Sequence, residues 1–324
     1  MRRGWVAPGP EVSAFEHELA ARLGTEAVAA VSSGSAALEL ALRALGVAPG
    51  DEVIIPTYVC DALHHAVGRT GATPVLADAD RATLSLSAED AQARLTPRTR
   101  CIIVPHAFGL AADLRALLAL GVPIIEDCAQ TLAARLDGRP VGSFGALAVC
   151  SFYATKLLTT GEGGAVAGPA ALIERVRDVR DYDERDDLAP RFNAKLSDLA
   201  AALGRSQLAR LDAFVARRRA VAARYRERLR EVACVLPADL GDRHVYHRFV
   251  VEVDRPPDIV RRSLAARGVA ARRPVYRPAH WALGQDGFPE ADRLWHRTLS
   301  LPCYPTLSDR EIDTVAAALA EALA

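Results

Sequence analysis

The 324-residue chain is half apolar and carries 40 basic against 40 acidic residues. That is enough material for one large core with a smaller lobe, and the zero formal charge excludes a whole-molecule field that would recruit nucleic acid or an anionic membrane. The six cysteines, at positions 60, 101, 128, 150, 234 and 303, form no Cys-x-x-Cys pair, and no histidines cluster at metal-ligand spacing. No metal is expected, and the thiols suit a reducing, cytoplasmic compartment. The first residues turn polar before any apolar stretch reaches the length of an export signal or a membrane span.

In chain order, short apolar runs alternate with helical patterns. Candidate strands are Val53 to Ile55, Pro74 to Leu76, Ile102 to Val104, Pro123 to Ile125 and Ala146 to Val149, with helix-like segments such as Ala36 to Leu45 and Ala111 to Leu120 between them. A spacing of roughly 20 to 27 residues between such strands predicts a mostly parallel sheet covered on both faces. From Leu196 to about Leu229 the pattern becomes one long helical run, through Leu208, Leu211 and the basic Arg217 to Arg219 stretch, expected to link two lobes. Beyond it, Val245 to Val253 alternates like a strand, Ile259 to Arg267 is helical and Glu311 to Leu323 forms a closing helix. The reading is α/β, with a large domain over residues 1–205 and a small α+β domain over residues 206–324 that includes the linking helix.

Of the basic residues only Lys156 and Lys195 are lysine; the rest are arginine. Arginine replaces lysine wherever a surface cation is all that is needed, but its guanidinium stays protonated and cannot act as an amine nucleophile. The two lysines therefore stand out as candidates for chemistry.

Ligands of an open α/β sheet bind outside the carboxyl ends of its strands. Four motifs fall there. Val31-Ser32-Ser33-Gly34-Ser35 opens a helix, where free backbone N–H groups suit a phosphate or serve as a plain N-cap. Glu126-Asp127-Cys128-Ala129-Gln130 ends a buried strand with carboxylates that suit a protonated pyridine ring, a magnesium ion or a ribose. Ser151-Phe152-Tyr153-Ala154-Thr155-Lys156, followed by Gly161-Glu162-Gly163-Gly164, places an amine in a small-residue loop that is neither a dinucleotide fingerprint nor a P-loop. Arg191 to Asp198 opens the long helix, with Asn193 or Ser197 as a local cap.

In this order the motifs resemble the DegT/DnrJ/EryC1/StrS family of sugar aminotransferases, a branch of the fold-type I, aspartate-aminotransferase-like pyridoxal-phosphate enzymes. The resemblance spans nearly the whole chain and includes Gly71 to Val75, Val104 to Gly109, Val141 to Gly145, Ala201 to Leu208, Val245 to Phe249 and Leu299 to Pro305. It implies that Lys156 carries pyridoxal 5′-phosphate as a Schiff base and that Asp127 pairs with the ring nitrogen. Gln130 would lie beside the ring's phenolic oxygen, and Gly34, Ser35 and Ser151 would hold the phosphate. Asn193 matches the residue that reaches the phosphate from a neighbouring subunit, so a homodimer with shared sites is implied. Cys60 falls where most members stack an aromatic ring on the cofactor, and the chain is short between Gly164 and Phe192.

The activity so implied is transfer of an amino group from an amino acid, L-glutamate, to a keto sugar linked to a nucleotide. Arg272 and Arg273 are candidates for meeting the substrate diphosphate, or else a solvated pair. Alternatives are a cyclitol acceptor, a sugar dehydratase of the same family, in which histidine replaces the lysine, a cofactor-binding regulator without turnover, and an unrelated nucleotide-binding module.

Overall fold

A computed structural model describes residues 6–324. Its strands in chain order are β1 (Ala27–Val31), β2 (Glu52–Pro56), β3 (Thr73–Ala77), β4 (Thr99–Pro105), β5 (Ile124–Asp127), β6 (Arg135–Leu136), β7 (Arg139–Pro140), β8 (Leu147–Ser151), β9 (Gly164–Gly168), β10 (Cys234–Val235), β11 (Phe249–Val253) and β12 (Thr298–Leu301). Seven of them make the main sheet, in the order β1-β9-β8-β5-β4-β2-β3. The five strands from β8 to β3 are parallel neighbours, whereas β9 runs antiparallel to both β8 and β1.

Strand side chains alternate between faces, and here both faces are apolar. Val31, Val53, Ile55, Ile103, Val149 and Val166 enter one core, beneath helices Gly34–Ala44, Ala62–Thr70 and Ala170–Arg180. Ala30, Ile54, Ile102, Val104, Ala148 and Ala165 enter the other, packed against Phe15 and Leu19 of helix Pro10–Leu23. Double-sided burial explains why the strands read as continuous apolar runs.

A third core gathers the antiparallel sheet β10-β11-β12 with helices Leu211–Arg228, Pro257–Ala266 and Asp309–Leu323 around Tyr225, Phe249 and Leu319. The single long helix expected from Leu196 to Leu229 is two helices, Asp198–Leu208 and Leu211–Arg228. The change of core falls within the second helix: Ala201, Leu211 and Val215 pack under the main sheet, whereas Val221, Ala222 and Tyr225 face the small one. The strand expected from Val245 is regular only from Phe249. Residues 245–248 instead pair with the turn after β4, Val245 N–H donating to Gly109 O at 2.8 Å and Arg248 N–H to Phe108 O at 3.0 Å. The helix expected over Ala111 to Leu120 is regular only for Leu114–Leu118, capped by Asp113.

Candidate active site

Because β1 and β8 both flank antiparallel β9, their carboxyl ends lie on one edge of the sheet, where Val31 and Ser151 pair from opposite sides with Gly164. The backbone is crowded here. A β-carbon on Gly164 would come within 2.4 Å of Ser33 O, and one on Gly34 within 2.7 Å of Ser151 Cβ. Only glycine lets the start of helix Gly34–Ala44 settle onto the end of β8. Ser33 caps that helix, its Oγ accepting the Ala36 N–H at 3.1 Å. The N–H groups of Gly34 and Ser35 find no acceptor among the described residues. Together with the adjacent Ser151 hydroxyl they form a cradle for an anion.

The two carboxylates ending β5 do different work. Glu126, with no exposed surface, accepts N–H groups from Gly142, Phe144 and Gly145, each at 2.7 Å, and lies 3.1 Å from His106 Nε2. His106 Nδ1 accepts the Ala112 N–H at 3.0 Å, which leaves Nε2 as the donor to Glu126. Burial raises the Glu126 carboxyl, but His106 and the glycine N–H groups outweigh it and hold the group below its ordinary range. His106, Glu126 and Cys128 bring donor atoms within 4.8 Å of one another. The carboxylate and imidazole atoms that would face an ion are committed to protein hydrogen bonds, so this cluster serves as a structural clasp.

Asp127 Oδ1 accepts one bond, from Ala129 N–H at 2.9 Å. Burial pushes this carboxyl up, against the pull of that N–H, of Lys156 and of His106. A buried carboxylate with spare acceptor capacity is suited to a cationic N–H partner.

Lys156 rides on a loop closed at its base by Phe152 N–H to Gly163 O at 2.8 Å and Thr160 N–H to Phe152 O at 2.9 Å, with its own N–H on Tyr153 O at 2.9 Å. Its ammonium contributes to the electrostatics of Asp127, Cys60 and His247, and His247 lines the same cavity. Cys60 is open to solvent on one side, yet enough protein surrounds the thiol that burial, then the Asp127 charge, raises its pKa. Gln130 Oε1 accepts the Phe108 N–H at 2.9 Å. That bond helps to hold Phe108 at φ 57°, a strained conformation for an aromatic residue, and leaves the Gln130 amide hydrogens available.

Other candidates lie apart. Asn193 is exposed, in a β-bridge with Asp181, and does not line the cavity that Lys156 enters. Lys195 is paired with Asp181 at 2.6 Å and Asp183 at 2.5 Å. Arg273 pairs with Asp258 at 2.8 Å and stacks 3.5 Å over Trp295, whereas Arg272 has no such partner among the described residues and lines the cavity. Two neighbours of Lys156 fall within the Val245 to Phe249 match, where the sequence assigned them no role. His247 is buried with Nδ1 unpaired, and burial, then Lys156, holds its imidazole far below the ordinary range. Arg248 is half-buried on the cavity wall.

These residues fit pyridoxal 5′-phosphate: an anion cradle of bare backbone, a buried carboxylate for a ring N–H, and an amine whose charge acts on that carboxylate. The sequence profile of the DegT/DnrJ/EryC1/StrS aminotransferase family matches residues 1–320. A UDP-N-acetyl-3-dehydro-α-D-glucosamine 3-aminotransferase of Acidithiobacillus ferrooxidans is 36% identical, over 97% of this chain and 89% of its own. A dTDP-3-amino-3,4,6-trideoxy-α-D-glucose transaminase of Streptomyces venezuelae is 38% identical, over 92% of this chain and 83% of its own. The crystal structure of S. venezuelae DesV in complex with a ketimine intermediate superposes with a TM-score of 0.93 at 37% identity, covering 99% of this chain and 91% of the other.

Proposed function

The chain belongs to the DegT/DnrJ/EryC1/StrS aminotransferase family and is a transaminase dependent on pyridoxal 5′-phosphate; from that premise we propose that it moves an amino group from L-glutamate to a keto group on a nucleotide-linked sugar. The observation that carries the site assignment is the convergence of Lys156 on the buried Asp127 carboxylate beside the Gly34–Ser151 cradle. The acceptor is supported by the two named relatives, both of which set the amine at carbon 3 of a nucleotide-linked sugar. No helix among the described residues is long and apolar enough to cross a membrane, and the reading places the enzyme in the cytoplasm.

When bound, pyridoxal phosphate supplies an electrophilic carbonyl and a cationic ring that withdraws electrons from the carbon losing its proton. The chain's own groups do the rest. Gly34, Ser35 and Ser151 would orient the phosphate through N–H and hydroxyl donors. Asp127 would keep the ring nitrogen protonated, because its low-dielectric surroundings strengthen an ion pair. Gln130 would offer its amide hydrogens to the phenolic oxygen. Lys156 Nζ would hold the cofactor covalently and, once the donor's amine displaces it from that bond, would be free to take the proton from the carbon bearing the donor's amino group and later to return one to the carbon being aminated. Cys60, smaller than an aromatic ring, would leave space over the cofactor face. Asn193 would reach the phosphate of a second copy of the chain, so that two sites would be shared in a homodimer.

The test is the absorption spectrum before and after L-glutamate, followed by borohydride reduction and peptide mapping. The reading requires a visible cofactor band that glutamate bleaches, with the reduced label on Lys156; Lys156→Arg should lack the covalent band. A label on any other residue, or an unchanged band in Lys156→Arg, would overturn it.

A further inference from the structure

The cavity that Lys156 enters, about 740 Å³, lies between the Lys156 loop, the start of helix Leu211–Arg228 and the end of β12 with the residues 302–306 that follow it. Its walls carry Lys156, Arg210, Arg218, Arg248 and Arg272, and no aspartate or glutamate. This is unusual in a chain whose charges balance. Elsewhere arginines sit on carboxylates, as Arg224 does on Asp313 at 2.7 Å and Arg273 on Asp258 at 2.8 Å. Arg248 and Arg272 have no acceptor for their guanidinium groups among the described residues.

Two further observations sharpen the point. Arg218 is 94% buried, with a relative exposure of 6%. One of its amino groups is shared by the carbonyls of Tyr246, His247 and Cys303 at 3.0, 3.2 and 2.6 Å, and its buried Nε has no partner among the described residues. A buried guanidinium with no counter-charge is expensive unless something supplies one. Burial, and then repulsion from Arg272, lowers the Arg248 pKa, so these two cations feel each other directly. The arrangement is pinned by the backbone. Arg272 and Ser300 exchange N–H to O bonds of 3.1 and 2.7 Å, and Arg248 N–H is fixed on Phe108 O.

We propose that this cavity is an anion subsite in which Arg248 and Arg272 grip an oxyanion with two acceptor edges, while buried Arg218 holds the wall in place and adds to the field. Guanidinium forks match carboxylate and phosphate oxygens two at a time. The inference rests on the transaminase reading above and adds the group that both substrates share. A dicarboxylic amino donor brings a second carboxylate and a nucleotide sugar brings a diphosphate. The two occupy the site in alternate half-reactions, so one anion pocket serves both.

The experiment uses cofactor-loaded protein and two unreactive probes, glutarate and inorganic diphosphate, with binding followed calorimetrically at low and moderate salt. Wild-type protein should bind both, in competition, and more weakly as salt rises. Arg248→Leu and Arg272→Leu should each weaken binding about ten-fold or more with the cofactor band unchanged. Arg272 is exposed, so its variant keeps the test open if Arg248→Leu fails to fold. Loss confined to glutarate or to diphosphate would overturn the sharing of one pocket by both substrates and leave the subsite to the donor or to the sugar nucleotide alone. Affinities unchanged in both variants, or no binding to wild type, would overturn it. Absence of the cofactor band in wild type would instead count against the transaminase reading.

Discussion

A β-carbon added to Gly34 would stand 2.7 Å from Ser151 Cβ and 2.9 Å from Ser151 Oγ. The contact joins the first turn of a helix to the end of a strand more than a hundred residues away. It is also the floor of the anion cradle. Ser151 Cβ is held by the β8–β9 ladder through the Ser151–Gly164 pair and cannot retreat as a flexible side-chain tip could.

Gly34→Ala should therefore leave the sheet intact but push the helix start off Ser151. Cofactor affinity should fall at least about ten-fold, the scale of one lost charge-assisted hydrogen bond, while far-ultraviolet circular dichroism stays unchanged. Titration of the variant with pyridoxal phosphate, followed by the visible band, measures the shift. Wild-type affinity would show that the cradle does not hold the phosphate.

Much of this site was legible because its groups lie within a few residues of strand ends, where a parallel sheet concentrates function. The apolar runs of β2, β4 and β5 announced those ends, and the scarcity of lysine marked Lys156. Strands β1 and β9 were missed: Ala-Val-Ala-Ala-Val and Gly-Ala-Val-Ala-Gly carry small residues that read as loop or helix, and only their pairing with each other and with β8 makes them strands. The break at Ala209 and Arg210 contains neither glycine nor proline, so no local signal announced it. The meeting of Arg248 and Arg272 depends on the Arg272–Ser300 bridge and on the Phe108 turn, contacts between segments far apart in sequence.

Glu126 and Asp127 are neighbours that sequence alone treats as interchangeable carboxylates. Glu126 accepts three backbone N–H groups and the His106 imidazole with no exposed surface. Glu126→Gln would turn an amide toward those donors and leave some unsatisfied, at a cost of about 3 kcal/mol or more, the scale for breaking a buried charged network. Urea unfolding should register that loss. Asp127→Asn, with a single N–H partner to satisfy, should lose little stability but slow the glutamate half-reaction by about 10² or more. Equal stability losses in the two variants would refute the division of labour.

Asn193 is exposed, and its side chain has no hydrogen-bond partner among the described residues. If it completes the site of a second copy, Asn193→Ala and Lys156→Ala protomers should each be inactive alone. Mixed and allowed to exchange, they should recover about a quarter of wild-type activity, because half the dimers are mixed and each of those holds one intact site. Heterodimers that form without recovering activity would place Asn193 outside the neighbour's site.

Two imidazoles give the fold an acid sensitivity of known sign. Burial lowers His244 to about 3, and burial with Lys156 nearby pushes His247 well below its ordinary value. Both titrate near 6.5 once unfolded. Between about pH 6.5 and 4.5 the unfolded chain thus binds protons that the folded chain refuses, and stability is full above this window and falls as pH drops through it. Each group removes roughly 1.4 kcal/mol per pH unit. His244 stacks on Tyr246 with ring centres 3.8 Å apart, so His244→Phe keeps the ring contact but not the titration. It also gives up the bond that Nδ1 accepts from Tyr246 N–H at 3.1 Å, an offset expected at every pH in the window. Unfolding free energy of the cofactor-free protein, measured in urea across the window, should lose about half of its imidazole-dependent slope in the variant. An unchanged slope would mean that His244 is not the group being charged.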